Sequence, residues 1–148
     1  PEIALMLIKC GANTNATNIM GYNALHLAAQ RNYVDVAELL ACNTALINAQ
    51  NVFDGNTPLH LAIINYADIN MASLLLAYDA SFDIKNNINM TQLELAKNHN
   101  KIELIQLMES LELPLNRNLF KLKYKLTRLK GKLQVLRNTL SQLKAKLA

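Results

Sequence analysis

Along the first 112 positions, apolar residues fall into short runs at helical spacing, paired and separated by polar turns. Three blocks share one frame: Gly21-Tyr-Asn-Ala-Leu-His-Leu-Ala-Ala29, Gly55-Asn-Thr-Pro-Leu-His-Leu-Ala-Ile63 and Asn89-Met-Thr-Gln-Leu-Glu-Leu-Ala-Lys97. Leu25, Leu59 and Leu93 stand 34 residues apart at each step. A second apolar run follows each block, from Val34 to Ala41, from Ile69 to Tyr78 and from Ile102 to Met108. The opening residues match only this second half. The pattern therefore predicts half a repeat and three more, over 1–18, 19–52, 53–86 and 87–112. A pair of ten-residue helices cannot bury an apolar face alone, so like pairs must stack into a shared core. Extra residues at 48–53 and 67–70 predict irregular loops.

Past Glu112 the pattern changes. Leucines fall at 115, 119, 122, 126, 129, 133, 136, 140, 143 and 147, in alternating steps of four and three. That 3.5-residue period predicts a coiled-coil seam of Leu119, Leu122, Leu126, Leu129, Leu133, Leu136, Leu140, Leu143 and Leu147. Pro114 marks the break, giving a second unit over 113–148 with a helix from about Arg117 to Leu147. Positions 120–126 alternate apolar and lysine residues as a strand would, but the unbroken heptad downstream outweighs that. Gly131 falls at a solvent-facing f position and costs the helix about 1 kcal/mol.

Charge divides at the same boundary. The net +4 of the 148 residues averages five basic against eleven acidic residues in 1–112, a net −6, with ten basic and no acidic residues beyond. The positions flanking the seam are Lys123, Lys125, Lys130, Lys132, Arg137, Thr139, Lys144 and Lys146. Two such helices would set like charges face to face, at a few tenths of a kcal/mol per pair, which weakens self-association without excluding it. An acidic helix of another protein would suit both seam and flanks. Three other readings stay open: an anionic membrane surface, a helix folded back over the acidic repeats, and nucleic acid, against which the lack of dense basic clusters counts.

The chemistry-bearing residues are sparse. Four unclustered glycines provide no phosphate-binding loop. Cys10 and Cys42 have no metal-ligand or disulfide-framework spacing and read as small buried residues of a protein from a reducing compartment. His26, His60 and His99 lack neighbouring ligands, and the four serines lack a nucleophile motif. No catalytic residue, metal or cofactor is expected. No run is long and apolar enough to span a bilayer, and no secretory signal opens the chain, which starts without Met inside a helix as a piece of a longer chain would.

The Thr57-Pro58-Leu59-His60-Leu61-Ala62 and Cys10-Gly11-Ala12-Asn13-Thr14-Asn15 blocks resemble the motifs of the ankyrin-repeat family, over roughly residues 1–112. The resemblance implies an all-α solenoid of antiparallel helix pairs joined by β-hairpin fingers, with the long helix appended. It implies that His26 and His60 bond to backbone and tie repeats together. Gly11 ends a helix at positive φ, with Asn43 and Asp79 in the equivalent places. Carried over position by position, the partner-binding residues are Ile19, Met20, Tyr22, Gln30 and Arg31, then Phe53, Asp54, Asn56, Ile64 and Asn65, then Asn87, Ile88 and Met90. Exposed Ile, Met, Tyr and Phe in a row are what a protein-binding patch needs. Gln92 and Glu94 replace Pro and His of the motif, as in a terminal repeat facing water. The expected function is a non-enzymatic, intracellular interaction scaffold that binds a partner through its fingers and concave face and whose basic helix adds a coiled-coil element. The alternative is the targeting arm of a larger enzyme or effector, its helix on an anionic membrane. Abundant asparagine fits an AT-rich genome, such as those of bacteria or viruses that deploy such proteins in the host cytoplasm.

Overall fold

A computed structural model describes residues 2–43, 46–65 and 69–147, with side chains to 146. Among them run eight helices: α1 (Glu2–Lys9), α2 (Ala24–Gln30), α3 (Val34–Asn43), α4 (Pro58–Asn65), α5 (Ile69–Ala77), α6 (Gln92–Asn98), α7 (Ile102–Ser110) and α8 (Pro114–Leu147). The expected loop at 67–70 falls partly outside the described residues.

Each first helix of a pair starts on the same device. Asn23 caps α2, its Oδ1 accepting from His26 N at 3.0 Å, while His26 Nδ1 accepts from Asn23 N at 3.2 Å. Thr57 and His60 repeat this reciprocal cap, and Thr91 with Glu94 does so a third time. Such a box satisfies backbone donors that a helix start leaves free. Pro58 opens α4, where its missing N–H costs nothing. The helix-to-helix turns place Asn32 (φ 55) and Asn100 (φ 52) in the left-handed region, and Asp79 (φ 72) and Gly11 (φ 83) leave α5 and α1 the same way. Asn43 departs from its expected place: it is the last residue of α3, its Nδ2 donating to Leu39 O at 2.7 Å.

The pairs stack in two layers. α2, α4 and α6 form one, and α1, α3, α5 and α7 the other. Between them lie Leu25, Leu59, Ile63, Met71, Leu74, Leu75, Leu104 and Met108, all buried, each worth roughly 1.5–3 kcal/mol. At the α1 end of the stack, among the described residues, no first helix lies beside α1, which buries no residue. An apolar groove of about 390 Å³ remains there between Leu7, Ile8, Leu27, Tyr33 and Val36.

α8 turns back across the second layer. Asn116 Nδ2 and Arg117 Nε donate to Ser110 O (2.9 Å) and Leu111 O (3.3 Å), which fixes the reversal after α7. Phe120 and Tyr124 pack against the core, Arg117 lies 5.3 Å from the centre of the Phe82 ring, and Lys125 lies 5.1 Å from that of Tyr78. Lys121 pairs with Asp79. Arg128 reaches two acids of α3, Glu38 at 2.7 Å and Asp35 at 3.3 Å, and Lys132 joins Glu38 at 3.3 Å.

Several expectations are corrected here. The f positions Arg117 and Tyr124 lie on the side turned toward the solenoid, because that stripe carries the aromatics and cations that match the acidic second layer, while Gly131, further along the same stripe, is exposed as expected. Both cysteines are exposed: Cys10 follows the unflanked α1, and Cys42 sits on the outer side of α3, donating to the Tyr78 hydroxyl at 3.1 Å. Gln92 is fully buried instead of facing water, its Nε2 donating to Thr57 Oγ1 at 3.0 Å, whereas Glu94 is exposed. Among the described residues the fingers are turns with one isolated bridge, Thr17 to Asn23, and no β-ladder.

Candidate protein-binding surfaces

An asparagine shapes each finger. Asn18 Oδ1 accepts from Met20 N and Tyr22 N, Asn51 Oδ1 from Phe53 N and Asp54 N, and Asn86 Oδ1 from Ile88 N and Met90 N, at 3.0 to 3.2 Å. One finger bonds to the next through backbone, Val52 N donating to Met20 O and Asn87 N to Asp54 O, both at 3.0 Å, and through a side chain, Asn87 Nδ2 donating to Phe53 O at 3.3 Å. Gly21 (φ 77) permits this approach, since a Cβ there would stand 2.7 Å from Val52 N. His26 Nε2 donates to Asn56 O (3.1 Å) and His60 Nε2 to Met90 O (3.2 Å), so each histidine joins its own helix start to the following finger. Both rings are fully buried, and burial holds their pKa below the ordinary value.

This framework holds large apolar side chains out in solvent. Ile19 is 98% exposed, Val52 73%, Phe53 69% and Ile88 69%. They come from three successive fingers whose backbones are bonded together, so they form a row of fixed spacing. Met20 is exposed beside them, and Asn87 completes the third tip.

A second apolar surface runs along α8. Leu119, Leu122, Leu126, Leu129, Leu133, Leu136, Leu140 and Leu143 are all about half exposed or more. At 100° per residue, Leu119, Leu122 and Leu126 lie on the side of the helix opposite Phe120, Tyr124 and Arg128, which face the solenoid. Leu147 of the expected seam has its side chain outside the described residues.

Residues 20–52 and 54–87 match the family model for the ankyrin repeat. These residues belong to the ankyrin-repeat family. An ankyrin repeat protein of fowlpox virus (strain NVSL) is 33% identical over 114 residues, 74% of this chain and 33% of that protein. The nuclear factor NF-kappa-B p105 subunit of Mus musculus is 35% identical over 110 residues, 74% of this chain and 11% of its own. The NF-kappa-B inhibitor cactus of Drosophila yakuba is 35% identical over 60 residues, 40% of this chain and 12% of its own. The chain thus spans a third or less of the length of these relatives.

Within the ankyrin stack, the expected binding residues separate into two groups. Ile19, Met20, Phe53, Asn87 and Ile88 are together at the fingertips and exposed. Arg31 is exposed at the rim of the open-end groove, and Ile64 and Asn65 are exposed at the end of α4. Tyr22 is half-buried with its ring edge against His26, centroids 5.6 Å apart. Asp54, Met90 and Gln30 are half-buried as well. Asn56 is buried, its Oδ1 accepting from Asn86 Nδ2 at 2.9 Å, so it links fingers and does not face outward. Val52 was not anticipated, because its finger has one residue more than the 34-residue frame supplies.

Proposed function

We propose that residues 1–112 bind a protein partner through the fingertips and that residues 113–148 supply a second, helical contact, so that the chain works as a two-surface scaffold. An interaction role is what the ankyrin family and its relatives support. The observation that carries the finer reading is the row Ile19, Val52, Phe53 and Ile88. Side chains of this kind, rigidly spaced and left in water, cost solubility and favour burial against a partner. One relative is named an inhibitor of NF-kappa-B, and a folded protein held against the stack is the class of ligand that name points to. A setting inside cells belongs to the same proposal, since two free, exposed thiols suit a reducing compartment.

The test is affinity capture from cell extract with the intact chain and with an Ile19→Ser, Phe53→Ser, Ile88→Ser variant. The variant should lose the specifically captured proteins while its thermal melt stays unchanged, because none of the three side chains is buried. An identical captured set with both chains refutes the fingertip assignment. Tyr22 is unsuitable as a probe, since its contact with His26 would confound stability with binding.

The second reading keeps α8 for an anionic membrane surface, as the targeting arm of a larger enzyme or effector. Its support is the exposed leucine stripe bordered by lysines. No helix among the described residues is long and apolar enough to cross a membrane, so only surface contact is at issue. Sedimentation with phosphatidylserine vesicles separates the readings: salt-sensitive co-sedimentation favours the membrane, and a chain left in the supernatant favours a protein helix.

A further inference from the structure

The docked position of α8 makes its two flanks unequal, and this narrows what the seam can accept. Lys125 lies over Tyr78, Lys132 is paired with Glu38, and Thr139 is neutral, so the flank leaning toward the solenoid keeps a single uncommitted cation, Lys146, at its far end. The opposite flank carries Lys123, Lys130, Arg137 and Lys144 at seven-residue steps. All four are exposed, and among the described residues none has an ion-pair partner. Carboxylates brought to the solenoid side would instead meet Glu38 and Asp35, which already share Arg128.

We infer that the seam docks a leucine-heptad helix of another protein that is acidic along one flank only. This rests on the proposal that α8 makes a helical contact. A second copy of the chain fits poorly, because α8 has no acidic residue with which to answer the free cations. Apolar burial in the seam supplies affinity, while the ladder of four cations selects the partner and its orientation. In a parallel pair that ladder meets the partner's g positions, and in an antiparallel pair its e positions. Exposed ion pairs of this kind change affinity by about twofold each, so four amount to roughly sixteenfold.

The experiment uses the full chain and four synthetic peptides of four heptads, all with Leu at a and d. Their flanks carry glutamate at g alone, at e alone, at both, or glutamine throughout, and binding is read by fluorescence anisotropy. One of the one-sided peptides should bind at least tenfold more tightly than the glutamine peptide, and the doubly acidic one should gain nothing over it. A chain with Lys123→Glu, Lys130→Glu, Arg137→Glu and Lys144→Glu should reverse the preference in favour of a lysine-flanked peptide. Equal binding of acidic and glutamine peptides overturns the one-sided inference while leaving the seam contact intact. If no peptide binds, the glutamine one included, the helical contact itself is wrong. Light scattering of the chain alone, showing a stable dimer that seals the seam, would also overturn the inference.

Discussion

His26 and His60 show how much rests on single side chains. Each accepts a backbone proton on Nδ1 and donates from Nε2 to the next finger, a pattern only the neutral ring can satisfy. Burial lowers both pKa values, so below the ordinary histidine pKa the unfolded chain binds more protons than the folded one. Stability is therefore full above about pH 6.5 and declines as pH falls, by at most about 1.4 kcal/mol per pH unit for each ring. The melting temperature should drop between about pH 7.5 and pH 5.5, and His60→Gln should flatten that slope. Glycines give a paired contrast. Gly21→Ala combines positive φ with a backbone clash and should cost about 1–3 kcal/mol in urea unfolding. Gly131→Ala meets no atom within 4 Å in mid-helix and should add about 1 kcal/mol. The histidine role was legible in the sequence through the resemblance to ankyrin motifs, and the 34-residue recurrence placed the two rings on adjacent layers. The uses of asparagine were not: Asn18, Asn51 and Asn86 form the fingers, and Asn32 and Asn100 turn the chain at positive φ. Composition alone made these residues look like background.

At the scale of the element, α8 unites two stripes with different tasks. Its leucine period was plain in the sequence, and the helix runs unbroken through Gly131 from Pro114, three residues earlier than expected. The docking stripe was not recognised, because a lysine or arginine beside an aromatic residue carries no period until a partner surface is known. Glu38 is its anchor. Arg128 and then Lys132 hold its carboxyl below the usual range, against the opposing effect of burial. Arg128→Ala removes the bidentate partner of a nearly buried acid and should loosen α8 by about 2 kcal/mol. Hydrogen exchange should then quicken over residues 117–128 while α4 and α6 keep their protection. Unchanged exchange would mean that Phe120 and Tyr124 hold the helix without the ion pairs.

For the whole molecule, α8 bonds to the end of α7 at Ser110 and Leu111 and to residues in or just after α3 and α5, namely Asp35, Glu38, Tyr78, Asp79 and Phe82, and none of these residues is in a finger. Docking the helix therefore leaves the fingertip row open, and both surfaces can be engaged together. Salt screens the ion pairs that hold α8 but strengthens apolar burial. Raising ionic strength from about 50 mM to about 500 mM should thus increase the radius of gyration in small-angle scattering; packing through the leucines would leave it the same or smaller. The sequence by itself determined the 34-residue repeat, the stacked helix pairs, the basic helix and its leucine spacing, because periodicity dictates which residues share a face. Only the tertiary structure decided which face of α8 turns inward. That choice depends on Asp35, Glu38 and Asp79, far from α8 in sequence, meeting on one surface when the repeats stack, where cations and aromatics answer them and leucine cannot.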